Sequence, residues 1–319
     1  MQITVVIPTY QRPTLLLNCL KALQQQSLNK SDFEVIIVSD GPDEETAHVV
    51  RKLKGARNFR YLSLPERKGP AAARNLGWLS AKAPVIAFTD DDTLPDRHWL
   101  EKFLSIADPI RPIAFTGKVV VPRNRRPTDY EQNTAGLETA DFVTANCACT
   151  KLALIATGGF DERFSMAWRE DSDLEFRLIL HGIPIIKIES AIVVHPVREA
   201  KWGVSIKEQK KTLYNALLYR KHPTLYRHKI QPRPAYLYYL IISGFVAFIV
   251  GLVLNQPNLA SAGALIWLLL TAYFIVKRLY RTSLSGKHVL EMIFTSFLIP
   301  FYSIYWQWYG SFKYRILLI

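Results

Sequence analysis

Pro84-Val85-Ile86-Ala87-Phe88-Thr89-Asp90-Asp91-Asp92 is an apolar run of strand length that ends in three consecutive carboxylates. Neighbouring carboxylates repel one another, and a hard divalent cation with oxygen ligands relieves that repulsion directly. Where substrate phosphates share the coordination, the usual ions are Mg²⁺ and Mn²⁺. Taken alone, the triplet is also compatible with a charged turn ahead of a helix, for which Asp96 after Pro95 supplies a cap. The rest of the chain has to decide between the two.

Working outward, apolar runs at Ile3–Ile7, Phe33–Val38, Phe59–Leu64, Val85–Thr89 and Ile113–Val121 read as strands. Between and after them lie faces of helical period: Leu15, Leu16, Cys19, Leu20 and Leu23, then Val49, Val50 and Leu53, then Trp99, Leu100, Phe103, Leu104 and Ala107. Strand and helix in alternation predict an α/β fold, a mainly parallel sheet flanked by helices. In such sheets ligands bind beyond the carboxyl ends of the strands. The polar clusters Pro8–Pro13, Ser39–Asp43 and Asp90–Asp92 all fall at such ends, so one rim is expected to collect them.

These residues resemble glycosyltransferase family 2, the inverting nucleotide-sugar enzymes of the GT-A (Rossmann-like) fold. Val5-Val6-Ile7-Pro8-Thr9-Tyr10 is similar to the family's opening strand and loop, and Val38-Ser39-Asp40-Gly41 to its second acidic turn. Lys68-Gly69-Pro70-Ala71-Ala72-Ala73-Arg74-Asn75 resembles its Gly-Ala-rich Arg-Asn segment, and Phe88 to Asp92 its DxD element. Gly158 to Phe164 and Glu170-Asp171-Ser172-Asp173-Leu174 follow in the order of the acceptor-side motifs. The resemblance covers about residues 1–215 and lies in six ordered elements rather than in one string.

The resemblance implies a role for each element. Pro8, Thr9, Tyr10 and Arg12 would line the donor site, with Asn75 and Trp168 also among the substrate-binding residues. Asp40, an acceptor of hydrogen bonds only, would meet a nucleobase N–H, as for uracil; the bland alternative is an Asp that starts the turn at Gly41. Lys68 and Arg74 would neutralise diphosphate charge, and Gly69 would let backbone approach closely. On the residues alone, Lys68 can instead be solvated and Arg74 paired with a carboxylate. Asp90 is expected near ribose and metal, Asp92 as the direct metal ligand and Asp91 in support. His195, after the apolar strand Ala191–Val194, is expected to complete the metal shell or to be structural. The implied cofactor is a divalent metal, Mg²⁺ or Mn²⁺, acting as a Lewis acid on the diphosphate. Asp171 is the candidate general base in the first turn of a helix, with Glu170 beside it; which of the two takes the proton is open.

The 319-residue chain carries a formal charge of +13, with basic residues thickening around positions 198–233 and 277–287. These stretches flank two uncharged apolar segments, Tyr236–Leu254 and Leu259–Val276, which read as a transmembrane hairpin. Positive residues mark the cytoplasmic side, which predicts an integral membrane protein with the N-terminal region at the cytoplasmic face and Asn255–Asn258 outside. Val289–Tyr309 contains Glu291, Pro300 and many aromatics, and is expected to be interfacial or re-entrant, with a third span as the alternative. The expected organisation is therefore a GT-A domain at 1–215, a basic connector at 216–235, the hairpin at 236–276 and a basic loop plus the third segment at 277–319. The N-terminus lacks a basic leader before a long apolar stretch, so no cleaved signal peptide is expected. Three cysteines, Cys19, Cys147 and Cys149, are too few for a disulfide framework and read as packing.

The expected activity is transfer of a single sugar from a nucleotide-sugar, a UDP-sugar first, to a lipid or lipid-linked acceptor at the membrane. Gln209-Lys210-Lys211-Thr212-Leu213 lacks the Gln-x-x-Arg-Trp element of the family's polymer synthases, so the reaction is expected to be non-processive. A nucleic-acid partner is not expected, because juxtamembrane Lys and Arg meet anionic lipid heads more simply. Two rival readings are a nucleotidyltransferase that makes activated sugars and a noncatalytic nucleotide-binding scaffold at the membrane. Oligomeric state is not legible in the residues.

Overall fold

The computed structural model describes residues 1–53, 55 and 57–318. It divides into two compact units, residues 1–122 with 135–197, and residues 123–134 with those from 198 onward.

The first unit is built on one eight-stranded sheet. Its strands are β1 (Ile3–Thr9), β2 (Phe33–Ser39), β3 (Phe59–Ser63), β4 (Val85–Phe88), β5 (Leu94–Pro95), β6 (Ala114–Val120), β7 (Cys147–Thr150) and β8 (Ile185–Val194), in the order β3-β2-β1-β4-β7-β6-β8-β5. The β3-β2-β1-β4 portion and the β6-β8 pair are parallel, while β7 runs antiparallel to both β4 and β6. The sheet is therefore mixed, with flanking helices and a parallel N-terminal half. The expected strands all form, but β5 and β7 were not anticipated. Two and four residues are too short to show a period, and Cys-Ala-Cys-Thr has little strand signature.

Period-two alternation sorts the strand side chains to two cores, as expected for a sheet covered on both faces. Val5, Ile7, Val35, Ile37, Val85 and Ala87 pack with Leu16, Leu20 and Leu23 of α1 (Pro13–Gln24) and Trp99, Leu100 and Phe103 of α4 (Trp99–Leu104). Val6, Ile36, Val38, Ile86 and Phe88 pack on the other face with Ala71, Ala73 and Trp78 of α3 (Pro70–Leu79). Cys147 and Cys149 belong to this second core and Ala148 to the first, so the cysteines are buried packing residues. Each fully buried aliphatic of this kind contributes about 1.5–3 kcal/mol. Asp43 caps α2 (Glu44–Lys52), accepting from Thr46 N–H at 3.0 Å.

In the second unit, Tyr236–Val253, Pro257–Leu279 and Gly286–Lys313 are three helices long and apolar enough to cross a membrane. The first two are packed backbone to backbone: a Cβ at Gly251 would lie 2.3 Å from Ala260 N, and one at Gly263 2.3 Å from Phe248 N. The third segment forms a single helix that continues through Pro300. Arg278, counted among the flanking positive charges, lies near the end of the second helix with its side chain 8% exposed. Its guanidinium donates to both Asp129 oxygens (Nη2–Oδ2 2.7 Å, Nε–Oδ1 3.4 Å) and to the hydroxyls of Thr295, Ser296 and Ser205. The division at residue 215 expected from sequence differs from the compact units. The Trp202 and Phe294 rings meet tilted, with centroids 5.2 Å apart, and Gly203 N–H donates to Glu291 at 2.6 Å, which gives this stretch to the helical unit.

Candidate active site

The carboxyl ends of β1, β2 and β4 meet at one rim, as parallel register requires: Thr9 pairs with Ser39 across β1 and β2, and Val6 with Phe88 across β1 and β4. Pro8 is buried in β1 opposite Val38. The aspartate triplet is pinned by hydroxyls, since Thr93 Oγ1 donates to Asp90 O (2.8 Å) and lies 2.7 Å from Thr89 Oγ1. The middle residue faces the protein. Asp91 accepts from Thr9 Oγ1 at 2.8 Å and from Arg12 Nη1 at 3.4 Å, so Thr9 and Arg12 brace the triplet. Burial, with the charges of Asp92 and Asp90, pushes the Asp91 carboxyl up to about 6 against the pull of Arg12.

Asp92 meets His195 through strand pairing that sequence did not reveal. β5 runs antiparallel to β8 with Leu94 opposite Val194. This register sets Thr93 opposite His195 and brings Asp92 beside it, with His195 Nε2 3.6 Å from Asp92 Oδ1. One ligand atom each from Asp90, Asp92 and His195 lies within 4.8 Å of the others. Two carboxylates and an imidazole are a donor set that fits a divalent ion such as Mn²⁺ or Mg²⁺. Among the described residues, this is the group of three that can hold a metal.

On the β2 side, Asp40 Oδ1 accepts the backbone N–H groups of Lys68 (2.7 Å) and Gly69 (2.8 Å), while Arg67 Nε stands 3.7 Å from its Oδ2. One oxygen of the proposed base-contacting carboxylate is thus engaged in holding the 66–69 loop. Arg67, which sequence reading passed over, lies with its guanidinium 4.3 Å from the centroid of the Tyr10 ring. Its position before Lys68 in a loop expected to carry phosphate was the available signal. Lys68 is half-exposed and 3.6 Å from Glu66. Gly69 has φ +100°, and a Cβ there would lie 2.5 Å from Ser165 O, so the loop must carry glycine where it meets the 165 segment.

Arg74 and Asn75, one turn into α3, are both engaged by partners within the fold. Asn75 donates to Phe160 O and Glu162 Oε1 and accepts from Phe160 N–H and Trp78 Nε1–H, all at 2.9 Å. Its full hydrogen-bonding capacity is engaged within the fold. Arg74, 2% exposed, donates from Nη2 to Asp90 Oδ1 at 2.8 Å and from Nη1 to Glu170 Oε1 at 3.0 Å. It joins the DxD element to the acceptor-side pair, the carboxylate pairing that the residues alone left open.

Glu170 and Asp171 begin the helix Glu170–Leu180, where three acidic residues in the first turn complement its dipole. The residue before them, Arg169, has φ +75°, an uncommon conformation for a residue with a side chain, and its guanidinium lies 4.6 Å from the Trp168 ring. Asp171 Oδ1 accepts from Ser172 N–H at 2.7 Å. Burial raises both carboxyls, and their mutual repulsion adds to the rise at Glu170, while Arg74 opposes it at each.

Residues 4–160 match the family model described as Glycosyl transferase family 2. That stretch of the chain is a domain of this family. Among curated relatives, validoxylamine A glucosyltransferase of Streptomyces hygroscopicus subsp. limoneus is 27% identical over 70% of this chain and 57% of its own. Pre-mycofactocin glycosyltransferase of Mycobacterium tuberculosis is 32% identical over 61% of this chain and 43% of its own. The chain thus spans between about two-fifths and three-fifths of the length of these family 2 proteins. The mannosyltransferase PcManGT of Pyrobaculum calidifontis, solved with GDP-Man and Mn²⁺, shares the fold with a TM-score of 0.57 at 18% identity, covering 98% of this chain and 87% of that one.

Proposed function

We propose that this family 2 protein is a membrane-attached, metal-dependent glycosyltransferase that moves one sugar from a nucleotide-sugar to a membrane-associated acceptor, with inversion. The observation that carries the reading is Arg74, which ties a carboxylate of the candidate metal cluster to the carboxylate pair of the acceptor side within one site. The family relatives, named as glycosyltransferases, support the same activity. The neighbour solved with GDP-Man and Mn²⁺ supports a nucleotide-sugar donor and a divalent ion.

In this reading Asp40, Tyr10 and Arg67 meet the nucleobase end of the donor, and Lys68 with the Gly69 backbone faces the diphosphate. Asp90, Asp92 and His195 would hold the metal, which when bound supplies Lewis-acid stabilisation of the departing diphosphate. Asp171 takes the proton when the acceptor is a hydroxyl, since Glu170 is fixed by Arg74. Trp168, exposed beside the carboxylate pair, offers an apolar face to the acceptor sugar or lipid. The three apolar helices support an acceptor at the bilayer, where anchoring raises its local concentration. The Lys and Arg residues flanking the first two support a cytoplasmic transferase unit.

The test is nucleoside-diphosphate release by the detergent-solubilised full chain from UDP-, GDP- and dTDP-sugars, with Mn²⁺ or Mg²⁺ and with or without membrane lipid extract. Release from one donor, raised by lipid and lost in Asp92→Ala and Asp171→Asn, is the expected result. Pyrophosphate instead of nucleoside diphosphate would identify a nucleotidyltransferase, and nucleotide binding without any release would identify a scaffold.

A further inference from the structure

The helix Gly286–Lys313 is inverted for a helix packed in water. The side it turns to the protein is polar, with Thr295, Ser296, Ser303, Gln307 and Ser311 buried, while Leu290, Phe294, Tyr302, Tyr305, Tyr309 and Phe312 stand exposed along the opposite side. An outward stripe at this spacing belongs against lipid. A span and a helix lying in the membrane surface would both provide that, and what runs along the helix separates them. Residues 202–220 accompany it from one end to the other. Gly203 N–H donates to Glu291 (2.6 Å), and the Trp202 and Phe294 ring centroids are 5.2 Å apart. Lys210 Nζ is 5.5 Å from the centroid of the Trp306 ring, a Cβ at Gly310 would lie 2.9 Å from Leu213 Cα, and Arg220 donates to Tyr314 O at 2.7 Å. This companion stretch carries Lys207, Glu208, Lys210, Lys211 and Arg220. Were the helix a span, those charges would be drawn through hydrocarbon with it, and Lys313 and Arg315 would end on the outer side, against the bias of positive residues to the cytoplasm.

The contacts with the other two apolar helices point the same way. Near one end, Thr295 and Ser296 accept from Arg278, at the basic end of Pro257–Leu279 (2.6 and 3.0 Å). Farther along, Phe297 and Phe301 reach Trp267 and Phe245, which sit at the midpoints of the two helices. Beyond these, Trp308 lies beside Tyr239, in the first turn of Tyr236–Val253. The first and last of these contacts both fall at the ends of the hairpin that carry the basic flanks, so the helix crosses the hairpin instead of following it. Resting on the hairpin orientation proposed above, we infer that Gly286–Lys313 lies in the plane of the cytoplasmic leaflet, with its aromatic side bedded among phospholipid headgroups and the upper acyl chains. Tyr and Trp suit that depth, with the ring in the apolar layer and the polar group in the wet one. Lys287 and Lys313, both exposed, stand at its two ends, where their ammonium groups meet lipid phosphates. The chain then crosses the bilayer twice, and residues 313–318 stay on the cytoplasmic side.

The experiment uses the full chain, whose native thiols are buried, carrying Asn258→Cys, Lys287→Cys or Lys313→Cys. A membrane-impermeant maleimide added to intact cells should label Asn258→Cys and leave the other two untouched, and permeabilisation should open both of those to it. Labelling of Lys313→Cys in intact cells, with Lys287→Cys still protected, would overturn the inference. Failure of Asn258→Cys to label from outside would instead refute the hairpin orientation, and the inference with it. A second measurement reads depth directly, with nitroxides on Tyr302→Cys and Phe312→Cys in phosphatidylcholine vesicles and relaxation by oxygen set against a water-soluble relaxant. An in-plane helix holds the two labels within one helical turn of the same depth, about 5 Å. A span would carry the first about 15 Å deeper, from ten residues at about 1.5 Å each, and that result would also overturn the inference. Thermal unfolding of each variant beside the parent checks that the fold is kept.

Discussion

Replacing Arg74 by methionine removes a buried cation from between two carboxylates and leaves a side chain able to fill the space. The guanidinium is 2% exposed, the Glu170 side chain 4% and the Asp90 side chain 28%. Removing one partner of a buried pair costs about 3–5 kcal/mol; with Asp90 partly solvated, a value near the lower end, ~3 kcal/mol, is expected at pH 8. For a unit of 150–250 residues each kcal/mol moves Tm by about 2–4 °C, so the variant should melt roughly 6–12 °C below the parent. The deficit should depend on pH. Burial and Asp171 already hold the Glu170 carboxyl above its ordinary 4.5, at about 7, against the opposing pull of Arg74. A carboxyl whose folded pKa is raised favours the fold fully below its unfolded pKa and loses that contribution as pH rises through the folded value. Without Arg74 the folded pKa rises further, so the gap between variant and parent is widest at pH 8 and narrows toward pH 5, where Glu170 is protonated in both. Scanning fluorimetry of the full chain in detergent at pH 5, 6.5 and 8 measures this. Arg74→Lys, which keeps the charge but cannot reach both carboxylates with one fork, should fall between. A deficit below about 1 °C, or one equal at all three pH values, would refute the argument that buried charge pairing holds this site together.

At Gly69, alanine must adopt φ +100° with its Cβ 2.5 Å from Ser165 O, so Gly69→Ala should cost about 1–3 kcal/mol and weaken nucleotide binding by calorimetry. Dialysis against EDTA is expected to abolish nucleoside-diphosphate release, and Mn²⁺ should restore it in the parent but not in Asp92→Ala; full activity after chelation would remove the metal from the mechanism. In the helical unit, Asp129→Asn leaves the Arg278 side chain, 8% exposed, without its counter-charge and should lower stability by roughly 3 kcal/mol in thermal unfolding. The three native thiols are all buried, so Asn258→Cys should give a clean reaction with a membrane-impermeant maleimide added from outside. Labelling solely from the cytoplasmic side would reverse the proposed topology.

The alternating strands and helices, the rim they share and the apolar helices were legible in the residues, because hydrophobic period and the parallel crossover rule are local signals. The aspartate triplet was readable for the same reason: its repulsion is a property of three adjacent residues. What could not be read was which partner each side chain would take. Asn75 looked like a ligand residue and is spent on Phe160, Glu162 and Trp78, while Arg74 looked like a phosphate residue and bridges Asp90 to Glu170 across the fold. The antiparallel β5 and β7 left no pattern, since strands of two and four residues have no period to show.

By itself, then, the sequence determined the layer order, the end of the sheet where charge collects and the helices that suit a bilayer. Tertiary structure alone decided that Leu94 pairs with Val194 and so brings His195 to Asp92, and that a guanidinium buried between distant carboxylates joins the two halves of the site. The reason is physical: periodicity and local repulsion act between neighbours in the chain, whereas strand register and charge pairing are set by segments a hundred residues apart, whose meeting no local pattern encodes.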